Sequence, residues 1–194
     1  LIQGDFKTFI DFILPRLQRY GLWFDCRNKA QICYALAQDQ RVQVQTKLQL
    51  KTKNKTEHAI QHMLDNTLQH LLPNSSAIAS GHFNDEHVHQ ARVAIRRIRS
   101  ILKTFSKWSK HIDATWETKF ANIFRQLGTQ RDLDMIENSI LPQLEQAQCP
   151  KITLPMRENS DKDALSHVFQ SYAFNDLILS VLQFIHTPHQ KKSK

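Results

Sequence analysis

Five residues recur at spacings of three and four between positions 89 and 103: His89, Arg92, Arg96, Arg99 and Lys103. On an α-helix they fall within an arc of roughly 80 degrees and stand about 4.5 to 6 Å apart along the axis. Guanidinium forks bind phosphate oxygens in pairs and a lysine adds a movable point charge, so the row suits an extended polyanion. Stacked like charges destabilise a helix by about 0.2–0.5 kcal/mol per adjacent pair, and the stripe has no acid of its own at four-residue spacing. An external anion would remove that cost. Lys107 and Lys110 extend the row. His89 has two readings: a donor or protonated partner for a phosphate, or a bond to a backbone group inside the fold.

The charge of the whole chain points to the same stretch. Lys and Arg outnumber Asp and Glu by 26 to 18, a net of +8. From His87 to Arg131 there are ten basic residues (Arg92, Arg96, Arg97, Arg99, Lys103, Lys107, Lys110, Lys119, Arg125 and Arg131) against Asp113 and Glu117. The remainder balances, so the basicity belongs to one element and implies a polyanionic partner.

Other chemistries are excluded by what is missing. The four glycines, Gly4, Gly21, Gly81 and Gly128, cannot form a dinucleotide-binding turn, a phosphate loop or a nucleophile elbow. Cys26, Cys33 and Cys149 lack C-x-x-C spacing, which argues against a zinc or redox site and for a reducing, cytoplasmic setting. The most apolar stretch, residues 177–185, is interrupted by Ser180 and Gln183 and is too short to span a membrane. The chain starts at Leu1 without a signal-type segment and reads as a piece of a longer protein.

The elements that position the row are helical. Residues 1–40 read as one unit, with Asp5 as N-cap, Phe6, Ile10, Ile13, Leu14 and Leu17 on one face, a kink or shortening at Pro15 and a stop at Gly21. Residues 41–55 read as a short strand or extended linker. A bundle follows over 56–194. Thr56 caps a helix that Pro73, Asn74 and the following serines end, and Asn84 or Asp85 caps a long helix reaching about Lys110. Asp113 caps a third that stops at Gly128. A fourth carries Leu133, Ile136, Ile140 and Leu144, and a single last helix opens at Asp161. Beside the cationic row, Val88, Ala91, Ile95, Ile98, Leu102 and Phe105 form the apolar seam of the second helix. The expectation is an all-α antiparallel helical bundle with a short mixed N-terminal segment.

VHQARVAIRRIRS at residues 88–100, followed by LGTQRDLD at 127–134, resembles the CHAD (conserved histidine α-helical domain) family. Residues 1–40, with LIQGDFKTFIDFILPRLQRYGL and NKAQICYALA, more faintly resemble the closing segment of a CYTH, or triphosphate-tunnel, domain. The CHAD resemblance implies a non-catalytic helical domain of two related bundles that binds inorganic polyphosphate through its motif histidine and basic residues. By position these are His89, Arg92, Arg96, Arg99 and, beside Asp132 and Asp134, Arg131; Lys103 joins them from the stripe. Arg97 matches the motif but lies off the stripe. No second histidine-arginine motif follows residue 160, so the sequence reads as the first half of the fold, and the tunnel residues of a CYTH catalytic domain are missing.

Two other functions stand beside polyphosphate binding. A nucleic-acid module would use the same basic row, but Phe105, Trp116, Phe120 and Phe124 occupy apolar helix faces and read as core rather than as stacking platforms. A metal-dependent phosphohydrolase would need more than His58 with His62, or His87 with His89, since neither pair has a third ligand at metal spacing. No cofactor or metal is expected.

Overall fold

The computed structural model describes residues 6–36, 42–48, 55–136, 140–150 and 160–187. Among these the regular structure is entirely helical: α1 (Phe6–Tyr20), α2 (Lys29–Leu36), α3 (Thr56–Ala79), α4 (Asp85–Phe105), α5 (Thr115–Met135), α6 (Leu141–Gln146), α7 (Ser160–Gln170) and α8 (Tyr172–His186), with a 3-10 turn at Ser106–Trp108. The expected all-α architecture is what forms. Helix α4 lies between α3 and α5, α7 packs on α3 and α5, and α8 packs on α3 and α1.

The core follows from the apolar periodicity. Leu64, Leu68 and Leu71 of α3 meet Ala91, Ile95, Ile98 and Leu102 of α4, Phe120 and Leu127 of α5, and Phe169, Leu177 and Val181 of α7 and α8. The α4 seam is buried at Val88, Ala91, Ile95, Ile98 and Leu102, with Ala94 added and Phe105 half-buried. A smaller cluster of Ile10, Leu17 and Leu179 fastens α1 to α8. Gly21, at φ +60, ends α1 as expected, while Pro15 lies within that helix and does not cut it short. Asp5 lies outside the described residues.

Several boundaries differ from the sequence reading. Helix α4 stops at Phe105 and passes into the 3-10 turn instead of reaching Lys110, so Lys107 and Lys110 do not continue its helical row. Helix α3 continues through Pro73 to Ala79. Proline removes one ladder donor, but the polar residues that follow it bond within the fold instead of turning out to water. Asn74, fully buried, donates from Nδ2 to the carbonyls of His70 (2.8 Å) and Gln43 (2.9 Å). Ser75 donates to the Leu72 carbonyl, and Ser76 accepts the Cys26 amide. The end of α3 is capped by another helix: Ser166 donates to the Ile78 carbonyl and Gln170 to that of Ala79. Lys55, not Thr56, is the N-cap residue, and its side chain makes no capping bond. Helix α5 passes Gly128 and ends at Met135, and α6 begins afresh with Pro142 in its first turn. The last helical stretch is two helices bent by 44°, because Ser171 accepts the Phe174 amide and N-caps α8. No single helix among the described residues is long and apolar enough to cross a membrane.

Residues 42–48 form neither helix nor strand. They are an extended strap held by α3: Gln43 pairs with Asn74 through both backbone groups, and Gln45 donates to Asn66. Replacing Asn74 by Ala leaves the half-buried backbone N–H and C=O of Gln43 without these partners. Asn74→Ala is expected to lower stability by about 2–3 kcal/mol and to make residues 42–48 the first site of limited proteolysis; denaturant unfolding and mapping of the nick check both.

A candidate polyanion-binding face

Helix α4 starts at a reciprocal cap. Asn84 Oδ1 accepts the His87 amide, and the His87 ring reaches back to the Asn84 amide. Asp85 and Glu86 in the first turn suit the positive end of the helix dipole. Burial of the seam then decides where the row points. His89, Arg92 and Arg99 are half-buried, whereas Arg96 and Lys103 are exposed.

The flank of α5 meets this row in antiparallel register. The Arg92 guanidinium lies over the Phe124 ring, 4.6 Å from its centre, and Arg99 Nε donates to Glu117 Oε1 at 2.9 Å. Seven residues up α4 correspond to seven down α5, about two turns on each helix. Between these contacts the Arg99 guanidinium also faces Phe124, at 5.6 Å. Lys103 Nζ stands 3.6 Å from the same Glu117 oxygen. Hydrogen bonding from Arg99, with the charges of Lys103 and Arg99, holds the Glu117 carboxyl below the usual carboxylate range, so it is ionised at neutral pH.

The row is therefore not without an acid. The stripe on α4 carries none, but the neighbouring helix supplies one carboxylate to Arg99 and Lys103. Arg96 makes no ion pair among the described residues. Arg131 falls near the end of α5, where the side chains lie outside the described residues; the register that sets Phe124 against Arg92 and Glu117 against Arg99 carries its backbone to the level of Asp85.

Three residues of this face are missed by the sequence reading: Glu117, Phe124 and Gly128. Of the aromatic group assigned to the core, Trp116 and Phe120 are buried, but Phe105 and Phe124 are only partly so. Gly128 acts as a recess: a Cβ there would stand 3.0 Å from Arg92 Nη1. A glycine inside a helical pattern was the available signal, since it costs about 1 kcal/mol relative to Ala and calls for a packing reason.

Other chemistry has little support at the remaining polar groups. Burial and the nearby Asp25 carboxylate push the Cys26 thiol up to about 12, which leaves it protonated and unreactive at neutral pH. The rings of His58 and His62 stand 4.6 Å apart on α3, and no cluster of three or more potential metal ligands forms among the described residues. His70 is buried, with Nε2 2.8 Å from Gln90 Oε1.

The CHAD domain family model matches residues 62–194. The chain belongs to the CHAD family. No curated protein and no solved structure matches it.

Two predictions follow from this geometry. Gly128→Ala is expected to stabilise α5 by up to about 1 kcal/mol while moving Arg92 off the Phe124 ring; NMR detects the latter as loss of the ring-current shift at the Arg92 Nε proton. Burial, aided by the Arg97 charge and opposed by the Gln90 bond, lowers the His70 pKa in the folded state. The unfolded chain then binds a proton that the folded chain does not, so this contribution to stability is present above about pH 6.5 and declines as the pH falls below it. Unfolding titrations from pH 8 to 5.5 should show a stability gap between wild type and His70→Gln that narrows toward acid.

Proposed function

We propose that the α4 face binds inorganic polyphosphate without catalysing a reaction on it, using His89, Arg92, Arg96, Arg99, Lys103 and Arg131. The observation that carries this reading is a row of cations spaced along one helix, with two guanidinium groups braced against one aromatic ring. A braced guanidinium loses less freedom when it meets a phosphate, and repeated steps of about 4.5 to 6 Å let a chain of phosphates meet several donors. Membership of a family linked to polyphosphate-related proteins supports the choice of ligand. The resemblance of residues 1–40 to a CYTH closing segment supports a role within a larger phosphate-handling protein. A reducing cytoplasm is the proposed setting.

A nucleic-acid ligand is the second reading, and one observation favours it. Trp108 is 67% exposed, close to Lys107 and Lys110 beyond the end of α4. An exposed ring among cations can stack on an unpaired base. Salt dependence is common to both ligands, so competition separates them.

Calorimetric titration of the 194-residue chain with polyphosphate, followed by competition with RNA of matched charge, tests the proposal. Polyphosphate is expected to win. Arg96→Glu, at an exposed position, is expected to weaken its binding by about tenfold or more with the fold intact. Preference for RNA, or unchanged affinity in Arg96→Glu and in the triple reversal of Arg92, Arg96 and Arg99, would overturn it.

A further inference from the structure

We infer that residues 42–48 form a docking edge for an extended acidic segment of another protein, which adds to the strap as a β-strand. The edge lies on α3, apart from the α4 and α5 flank that carries the cationic row. Val42, Val44, Leu48 and Leu50 alternate with polar residues over part of 41–50, which is the period of a strand. The strap has no strand partner among the described residues. Two asparagines of α3 hold it instead. Asn74 takes both backbone groups of Gln43, and Asn66 meets the side chains of Gln45 and Thr46. These asparagines are about 12 Å apart along the helix axis, a distance that the chain from Gln43 to Thr46 covers only when extended, at about 3.3 Å per residue.

Held this way, the strap turns its polar side to α3. Gln43 and Gln45 are half-buried, whereas Val44 between them is 60% exposed. A slip of one residue would exchange the two faces, and the bonds at Gln43 and Gln45 prevent it. Backbone groups of an extended chain alternate from side to side, so those of Val44 turn away from Asn74. The Val44 N–H makes no hydrogen bond among the described residues, and its carbonyl accepts only from the Gln43 side chain, at 3.1 Å. An exposed valine with available backbone groups is where a strand adds, main-chain bonds giving affinity and side chains specificity.

Charge selects the partner. Arg41, Lys47, Lys51, Lys53 and Lys55 are the five basic residues of 41–55, a stretch without an acid. Arg41 and Lys47 stand three residues either side of Val44, so antiparallel pairing of two copies about Val44 sets like charges opposite each other. The same symmetry fits a strand with carboxylates at those two places and β-branched residues between them. Lysine at the edge thus opposes self-association and admits an acidic strand.

Amide exchange of the 194-residue chain, followed by NMR, tests this with a synthetic peptide of alternating valine and threonine flanked by glutamates. The peptide is expected to slow exchange at the Val44 amide about tenfold or more. Val44→Pro removes the donor without removing an internal bond, and is expected to weaken peptide binding about fivefold or more. Lys47→Glu, at an exposed position, is expected to weaken it about threefold or more and to favour the peptide with lysine in place of glutamate. That reversal carries the test if Val44→Pro fails to fold. Polyphosphate is expected to leave exchange at Val44 unchanged. No protection at Val44, equal binding of the same peptide interrupted by proline, or unchanged affinity in folded Val44→Pro or in Lys47→Glu overturns the inference and leaves the polyphosphate reading as it stands. Equal protection of Val44 by polyphosphate also overturns it.

Discussion

Burial of one side of α4 is the constraint on which the rest depends. Ala91, Ala94, Ile95, Ile98 and Leu102 are sealed among α3, α5 and the helices beyond. Each fully buried Ile or Leu contributes about 1.5–3 kcal/mol, whereas each stacked like-charge pair costs about 0.2–0.5 kcal/mol. Packing therefore decides the rotation of α4, and the cations occupy whatever flank is left. The repulsion is tolerated because several apolar side chains outweigh it. The Asn84 cap fixes where the helix starts, and hence where each cation stands.

The same packing brings α5 alongside and alters the electrostatics of that flank. Phe124 supports two guanidinium groups, a contact worth about 0.5–2 kcal/mol for each well-placed cation. Glu117 partly neutralises one end and leaves the face cationic, since one carboxylate serves both Arg99 and Lys103. Gly128 leaves space for the Arg92 guanidinium. The result is a row with graded availability rather than a uniform strip of charge.

Much of this was legible from residue order. The apolar spacing of α4, its Asn84 cap and the position of the cationic row all follow from local rules, and the motifs at 88–100 and 127–134 pointed to the CHAD family. The partners of the row were not legible, because helical periodicity identifies a face without saying which helix will lie against it. Glu117 reads as a lone acid in the first turn of α5 until the hairpin closes and puts it beside Arg99. Pro73, Asn74, Ser75 and Ser76 read as a loop by composition, yet tertiary burial extends the helix through them with their side chains bonded inside the fold. Ser171 divides what periodicity presents as one apolar helix, and only its bond to the Phe174 amide reveals the break.

The most direct test is to follow the arginine side-chain Nε–H resonances and the Phe124 ring of the 194-residue chain while polyphosphate is added. The account predicts saturable shifts at Arg92, Arg96 and Arg99, with Phe124 changing in step. Shifts confined to the open groove of Lys119, Asn122, His167 and Tyr172 between α5 and the α7–α8 bend, with the α4 arginines unmoved, would contradict it.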